Sequence, residues 1–266
     1  MRYAGRTHPG RRGGQNEDSI GWDEARQMWF VADGMGGHAS GDVASRIVKQ
    51  TLLESGTLPL IEAVHQAHRA VAKAAALANS NMGSTVVALQ LRDGEGEIVW
   101  VGDSRVYLWR DKKLQPVTRD HSFIELLREQ ENLSDEQLRG HPQKNLVTQT
   151  LGLATPEPST IEIPLRRGDW FLLCSDGLND ELEDREMAQI LEGEDSPEAA
   201  ADALIEAALA KGGRDNVSAV VVEYAGPNGV SSRPISGKLQ SWLPVIAGIA
   251  AALLAAALGW WLRSRN

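Results

Sequence analysis

Short apolar runs of strand length that end on, or open from, an aspartate recur along this chain: Asp33 in WFVADG, Asp103 in VWVGDSR, Asp176 in FLLCSDG and Asp215 in RDNVSAVVV. Apolar runs of four to eight residues bounded by turn residues read as buried strands. Strands that each present a carboxylate at one end can gather several negative charges into one small place. Burial and mutual repulsion would drive those carboxyl pKa values up unless hard divalent ions supplied the opposing charge. The chain therefore reads first as a metal-dependent enzyme.

The remaining pattern predicts how such strands are arranged. Asn16 to Trp22 and Met28 to Ala32 read as two strands, followed by a glycine-rich turn. Val43, Ala44, Ile47, Val48, Thr51 and Leu52 then recur at helical spacing, and a longer helix runs from Leu60 to Ala78. Residues 84–91, 97–101 and 105–109 read as consecutive strands, with Asp93-Gly94 as a hairpin turn between the first two. From 122 to 141 the pattern turns polar and helical, with Ser134 as an N-cap, before LVTQTLG and another strand pair. Residues 170–175 and 217–223 are strands, and 197–211 is a helix with Pro197 in its first turn and Gly212 as its stop. Helices arriving in pairs between antiparallel hairpins predict an α+β layered sandwich rather than a parallel sheet.

Composition excludes several functions. A formal net charge of -9 over 266 residues, with no basic stripe, argues against a nucleic-acid partner. One cysteine, Cys174, rules out an internal disulfide and a cysteine-rich zinc site, and no arginine follows it at the spacing a cysteine-dependent phosphatase needs. No Pro/Gly/Ser-rich linker divides the first 225 residues, so 1–225 is expected to be one catalytic domain and 226–241 a flexible tether. The start MRYAGRTHPGRRGG has no apolar stretch of the kind a secretory signal requires. Leu243 to Leu262 carries no charge and, as a helix, would be about 30 Å long, the thickness of a bilayer core. With Trp242, Trp260 and Trp261 at its ends, 242–262 is expected to be a transmembrane helix followed by a short basic tail, 263–266. That makes the protein a single-pass C-terminal anchor of the inner membrane with its catalytic domain in the cytoplasm.

GMGGHA follows a strand and opens a helix, and so matches the dinucleotide fingerprint G-x-G-x-x-A, with Glu54 about twenty residues on. Asp33 immediately before it puts a negative charge where a pyrophosphate would lie. The stronger alternative makes Asp33 a metal ligand and Gly34 a second one through its carbonyl, with Asp176-Gly177 repeating the arrangement and Asp215 completing the shell. Each Asp-Gly alone is also a common turn; four acids at strand ends are harder to explain that way.

In order along the chain, NEDS (16–19), VADGMGGHASGDVAS (31–45), GST (83–85), VGDSRVY (101–107), TRDHS (118–122), LCSDG (173–177) and GGRDNVSAVVV (212–222) resemble the motifs of the metal-dependent serine/threonine protein phosphatases, protein phosphatase 2C type, in their bacterial branch. The resemblance covers nearly all of residues 5–224. It implies a four-layer α/β/β/α sandwich of two antiparallel sheets flanked by helices. It also implies that Asp33 bridges two Mn²⁺ or Mg²⁺ ions, that Gly34 contributes its carbonyl, that Asp176 and Asp215 hold the pair, and that Asp103 serves a third, more weakly held ion. Glu17 and Asp18 would act through metal-bound waters. The implied reaction is direct attack of the bridging hydroxide on a phosphoserine or phosphothreonine. His38 would protonate the leaving alkoxide or else contact substrate.

This chain departs from the family pattern in two places. The phosphate-binding arginine expected three residues before Asn16 is Gly13, with Arg12 beside it as the candidate replacement. Gln149 stands where an arginine is common. The stretch 121–145 resembles the family's flap, a natural place for substrate selection. The implied partners are phosphorylated proteins, a Ser/Thr protein kinase whose action this enzyme opposes, and the membrane. The alternatives are a metal-dependent hydrolase of a small phosphorylated molecule and a non-catalytic phosphoprotein-binding scaffold.

Overall fold

The computed structural model describes residues 1–36, 40–131, 141–143, 146–153 and 155–226, without the side chains of 129–131. Two antiparallel sheets form its centre. The first runs in the order β1 (Arg2–His8), β11 (Val217–Tyr224), β10 (Asp169–Cys174), β7 (Arg105–Arg110) and β8 (Lys113–Pro116). The second runs β2 (Asp18–Asp23), β3 (Met28–Met35), β5 (Val86–Arg92), β6 (Glu95–Val101) and β9 (Ser159–Pro164), with the short β4 (Gly83–Ser84) paired to β3. Asp93 and Gly94 take φ of 51° and 84°, the two positive values that a tight hairpin between β5 and β6 demands.

Strand periodicity sorts the apolar side chains into three layers of core. On β3, Trp29 and Val31 face the first sheet, where they meet Phe171, Leu173, Val220 and Val222 together with Val87, Leu89 and Ile98. Met28, Phe30 and Ala32, one residue out of phase, face the other way and pack under α1 (Gly41–Glu54) and α2 (Leu60–Ala78). On the first sheet Leu172, Cys174, Ala219 and Val221 turn outward to α4 (Asp176–Asn179), α5 (Asp184–Gly193) and α6 (Pro197–Lys211). Both faces of each sheet are therefore covered, and the strands read as continuous apolar runs for that reason. The four layers match the expected sandwich. A further helix, α3 (Phe123–Glu131), follows β8. Pro197 occupies the first turn of α6 and Gly212 its C-cap, as expected, and the structure adds an N-cap that the sequence reading did not name: Ser196 Oγ accepts from the Ala199 N–H at 3.1 Å.

The sequence pattern did not anticipate β1 or α5. β1 forms an edge and alternates Arg2 and Arg6 with Tyr3 and Gly5, so its inward side is short of apolar residues. α5 buries only Met187 and Leu191 and is held at its start by a capping box between Glu183 and Glu186.

The expected transmembrane helix must be corrected. Among the described residues no helix is long and apolar enough to cross a membrane, and the segment 242–262, with the tether 226–241 after its first residue, lies outside them. Among the described residues the fold is the two-sheet sandwich with no membrane-spanning helix, and the inner-membrane anchor is withdrawn.

Candidate metal centre

The alternation that fills the layer between the sheets runs on to one end of it and there turns polar. Thr7 takes the next inward position after Tyr3 and Gly5, Asp18 precedes Ile20, and Asp33 follows Trp29 and Val31. Ser175 follows Phe171 and Leu173, and Ser218 precedes Val220 and Val222. With a period of two residues, one set of strand ends thus delivers carboxylates and hydroxyls to one place.

These groups are tied to one another. Ser175 Oγ and Ser218 Oγ both donate to Asp18 Oδ2, at 2.7 and 2.6 Å, and Ser218 Oγ stands 2.8 Å from Thr7 Oγ1. Asp18 and Asp33 are directly opposite across β2 and β3. The Asp33 N–H donates to Thr85 Oγ1 at 3.0 Å, and that hydroxyl shares a 2.7 Å bond with Ser104 Oγ. Asn216 links three segments: its Oδ1 accepts from the Glu17 N–H at 2.7 Å, its side-chain amide donates to Pro9 O at 3.1 Å, and its own N–H donates to Asp215 Oδ1 at 2.7 Å.

Glycine serves close approach here. A Cβ on Gly34 would lie 1.9 Å from the Gly41 carbonyl oxygen, and one on Gly177 would lie 2.0 Å from that of Asn216. Bare backbone at these two positions lets the start of α1 abut β3 and lets the Asp176 turn abut the Asp215 loop. This is a packing reason for both Asp-Gly steps beyond the one read from the sequence.

The electrostatics show how much negative charge has been collected. Asp33 is raised well above the ordinary carboxylate range, by burial first and then by Asp18, Asp176 and Asp103. Asp176 is raised by burial and then by Asp103 and Asp215, and it in turn raises Asp33. Burial pushes Asp18 up to about 6 against the pull of its two serine donors, and pushes Asp103 up to about 6 with Asp120 adding to it. Glu17 is raised by burial and by Asp42, while the Gly41 N–H at the start of α1 steadies its charge. Asp215 is exposed at the mouth.

A divalent cation suits this chemistry. Every side-chain donor in the cluster is a hard oxygen, and Asp18 Oδ1 is buried without a hydrogen-bond partner. Among the described residues, however, no three acidic, histidine or cysteine side chains already stand at metal-ligand spacing, so the fit rests on donor type and charge rather than on a finished cage.

The other expected residues are placed as follows. Arg12 is exposed, and its charge is felt at Glu181, whose carboxyl is held below the usual range first by Arg214, at 2.8 Å. His38 lies outside the described residues, as does Ser134. Gln149 is engaged elsewhere, its Oε1 accepting from the Glu157 N–H at 2.8 Å. Sequence reasoning missed Ser175, Ser218, Thr85, Ser104 and Asn216. The signal was available, since each serine sits in phase with the inward apolar residues of its own strand. A cavity of about 520 Å³ between β2 and α1 borders the cluster at Thr7 and Asp18 and carries Arg46 and Lys49 on its rim.

The family pattern described as Protein phosphatase 2C matches residues 4–211. The chain is 37% identical over 247 residues to the serine/threonine protein phosphatase PstP of Mycobacterium tuberculosis, covering 88% of this chain and 47% of that protein. It thus spans about half the length of that relative. Against the serine/threonine phosphatase stp of Listeria monocytogenes it is 36% identical over 237 residues, covering 82% of this chain and 94% of that one. Among solved structures, the catalytic domain of PstP in complex with two manganese ions superposes with a TM-score of 0.76 at 34% identity, over 84% of this chain and 97% of that one.

Proposed function

The chain belongs to the protein phosphatase 2C family, and from that premise we propose that it is a metal-dependent protein phosphatase that hydrolyses phosphoserine and phosphothreonine in proteins. The observation that carries this reading is the convergence of Asp18, buried, and Asp33, Asp103 and Asp176, half-buried, as carboxyls raised above their ordinary range at one end of the inter-sheet layer, with the exposed Asp215 beside them. Asp33, Asp176 and Asp215 would hold two Mn²⁺ or Mg²⁺ ions, with the Gly34 carbonyl contributing and Asp103 serving a third, weaker ion. Bound there, such ions supply Lewis-acid stabilisation of the phosphoryl oxygens and activate water at neutral pH.

The chain's own residues do the rest. Ser175 and Ser218 fix the Asp18 carboxylate, which with Glu17 orients water at the site. Asn216 locks Glu17 to the Asp215 loop, so the two acids move together. Arg12 takes the phosphate-binding part that Gly13 leaves open, and His38 gives a proton to the departing serine or threonine oxygen. The substrates must come from a Ser/Thr protein kinase, the reaction class that makes such phosphoesters.

Phosphate release from a phosphothreonine peptide, set against release from a small aryl phosphate, tests this. Turnover that requires Mn²⁺, stops with EDTA and favours the peptide is expected. Turnover insensitive to EDTA would overturn the metal-dependent mechanism, and a preference for the small ester would overturn the protein substrate.

A further inference from the structure

TRDHS at 118–122 is a motif for which the site so far has no use, yet it grips both strands that carry Asp103. On the β6 side the Trp100 indole N–H donates to Arg119 O at 2.7 Å, the His121 N–H donates to Gly102 O at 2.8 Å, and the Gly102 N–H donates back to His121 Nδ1 at 3.3 Å. On the β7 side the Arg105 guanidinium makes paired bonds of 2.8 and 2.7 Å to Asp120, and the Val106 N–H donates to Thr118 Oγ1 at 3.0 Å. Asp103 stands at the tip between these two grips.

The His121 ring lies on Trp100 with centroids 6.1 Å apart and planes 24° from parallel, and its Nε2 is 2.9 Å from Ser159 Oγ. Because Nδ1 accepts from Gly102, the neutral ring carries its proton on Nε2 and donates it to Ser159. The Arg105–Asp120 pair and Thr118 would suffice to pin the motif to the sandwich. His121 does something they do not. It brackets the two peptide groups on either side of Gly102, a residue at φ +105° with the widest backbone freedom in the turn, and the second of those peptides leads into Asp103.

We propose that His121 is a positioning residue for Asp103: by accepting the Gly102 N–H on Nδ1 while its backbone N–H holds Gly102 O, it fixes the direction in which the Asp103 carboxylate enters the acidic cluster. The proposal rests on the reading above that Asp103 belongs to the functional site. Residues that orient a metal-facing acid from behind typically change metal affinity by about 10–100-fold when removed, without touching the ion.

Three replacements of His121 separate positioning from packing. His121→Asn puts an acceptor near the Nδ1 place, His121→Gln keeps only a group near the Nε2 place, and His121→Ala keeps neither. Manganese dependence of phosphate release, manganese calorimetry and hydrogen exchange at the amides of 102–104 are read together. His121→Gln and His121→Ala are expected to raise the half-saturating manganese concentration roughly 10-fold with kcat at saturating manganese nearly retained, and to speed exchange at 102–104; His121→Asn is expected to restore both.

Asp103→Asn is measured alongside. A raised manganese requirement in Asp103→Asn but not in His121→Gln would show that His121 positions nothing, and would overturn the proposal while leaving the site intact. An unchanged requirement in Asp103→Asn would remove Asp103 from the site and the proposal with it. Equal losses in all three His121 variants, tracking a lowered Tm, would mark the ring as packing alone and overturn the proposal equally.

Discussion

The layer between the two sheets has an apolar end and a polar end, built from the same strands in the same register. At the first, Trp29, Val31, Phe171, Leu173, Val220 and Val222 fill the space with hydrocarbon. At the second, one step further along each strand, stand Asp33, Ser175 and Ser218, with Asp18 and Thr7 beside them. One end stabilises the fold by removing apolar surface from water. The other opposes folding, because it buries acids whose charge has no cation among the side chains that touch them. The contrast teaches that stability and activity have been assigned to successive inward positions of single strands, so that a shift of two residues along β3 or β10 passes from one to the other.

The largest expected effect breaks the contrast at its polar end. Asp33→Ala should cost phosphate release roughly 10³-fold or more while leaving metal-free thermal stability unchanged or higher. Phe171→Ala, at the apolar end, should do the reverse. A loss of about 3–5 kcal/mol in denaturant unfolding is expected, with manganese affinity in the folded protein unaltered. If instead both variants lost stability alike, the two ends would not be separable.

A pH series on metal-free protein sharpens the difference. An acid whose pKa is raised on folding binds its proton more tightly in the folded state, so its contribution is favourable at low pH and is lost as pH climbs through the folded value. Asp18 rises from 3.8 to about 6, and Asp33 and Asp176 also rise, so stability should fall between about pH 4 and pH 6 and beyond, and saturating Mn²⁺ should abolish that fall. A metal-free Tm that climbs steadily over this range would be the contrary result. The smallest effect is expected from Ser218→Ala, which removes one of the two donors on Asp18 Oδ2. It should cost about 1 kcal/mol and push Asp18 further up, as its carboxyl resonance would show in an NMR titration.

Much of this was legible in the sequence, and the illegible parts have physical causes. Runs such as FLLCSD and WFVAD announce both a strand and the acid at its end, because a strand covered on both faces has no polar alternation to confuse the reading. The Asp93-Gly94 hairpin and the Pro197 and Gly212 punctuation of α6 depend on local backbone chemistry and were read directly. β1 was missed because an edge strand with Arg2 and Arg6 outward owes its conformation to pairing with β11, a partner more than two hundred residues away. The serines on Asp18 and the His121 bracket on Gly102 escaped for a similar reason: their meaning lies in what they touch across strands. The expected membrane helix found no support, because among the described residues no helix is long and apolar enough to cross a membrane.

The most direct measurement is anomalous diffraction at the manganese edge from crystals grown with saturating Mn²⁺. Two strong peaks within coordination distance of the Asp33, Asp176 and Asp215 carboxylates, at the polar end of the inter-sheet layer, are expected. Manganese bound only elsewhere on the molecule, with those carboxylates unliganded at full metal occupancy, would contradict the assignment of that end to metal-dependent catalysis.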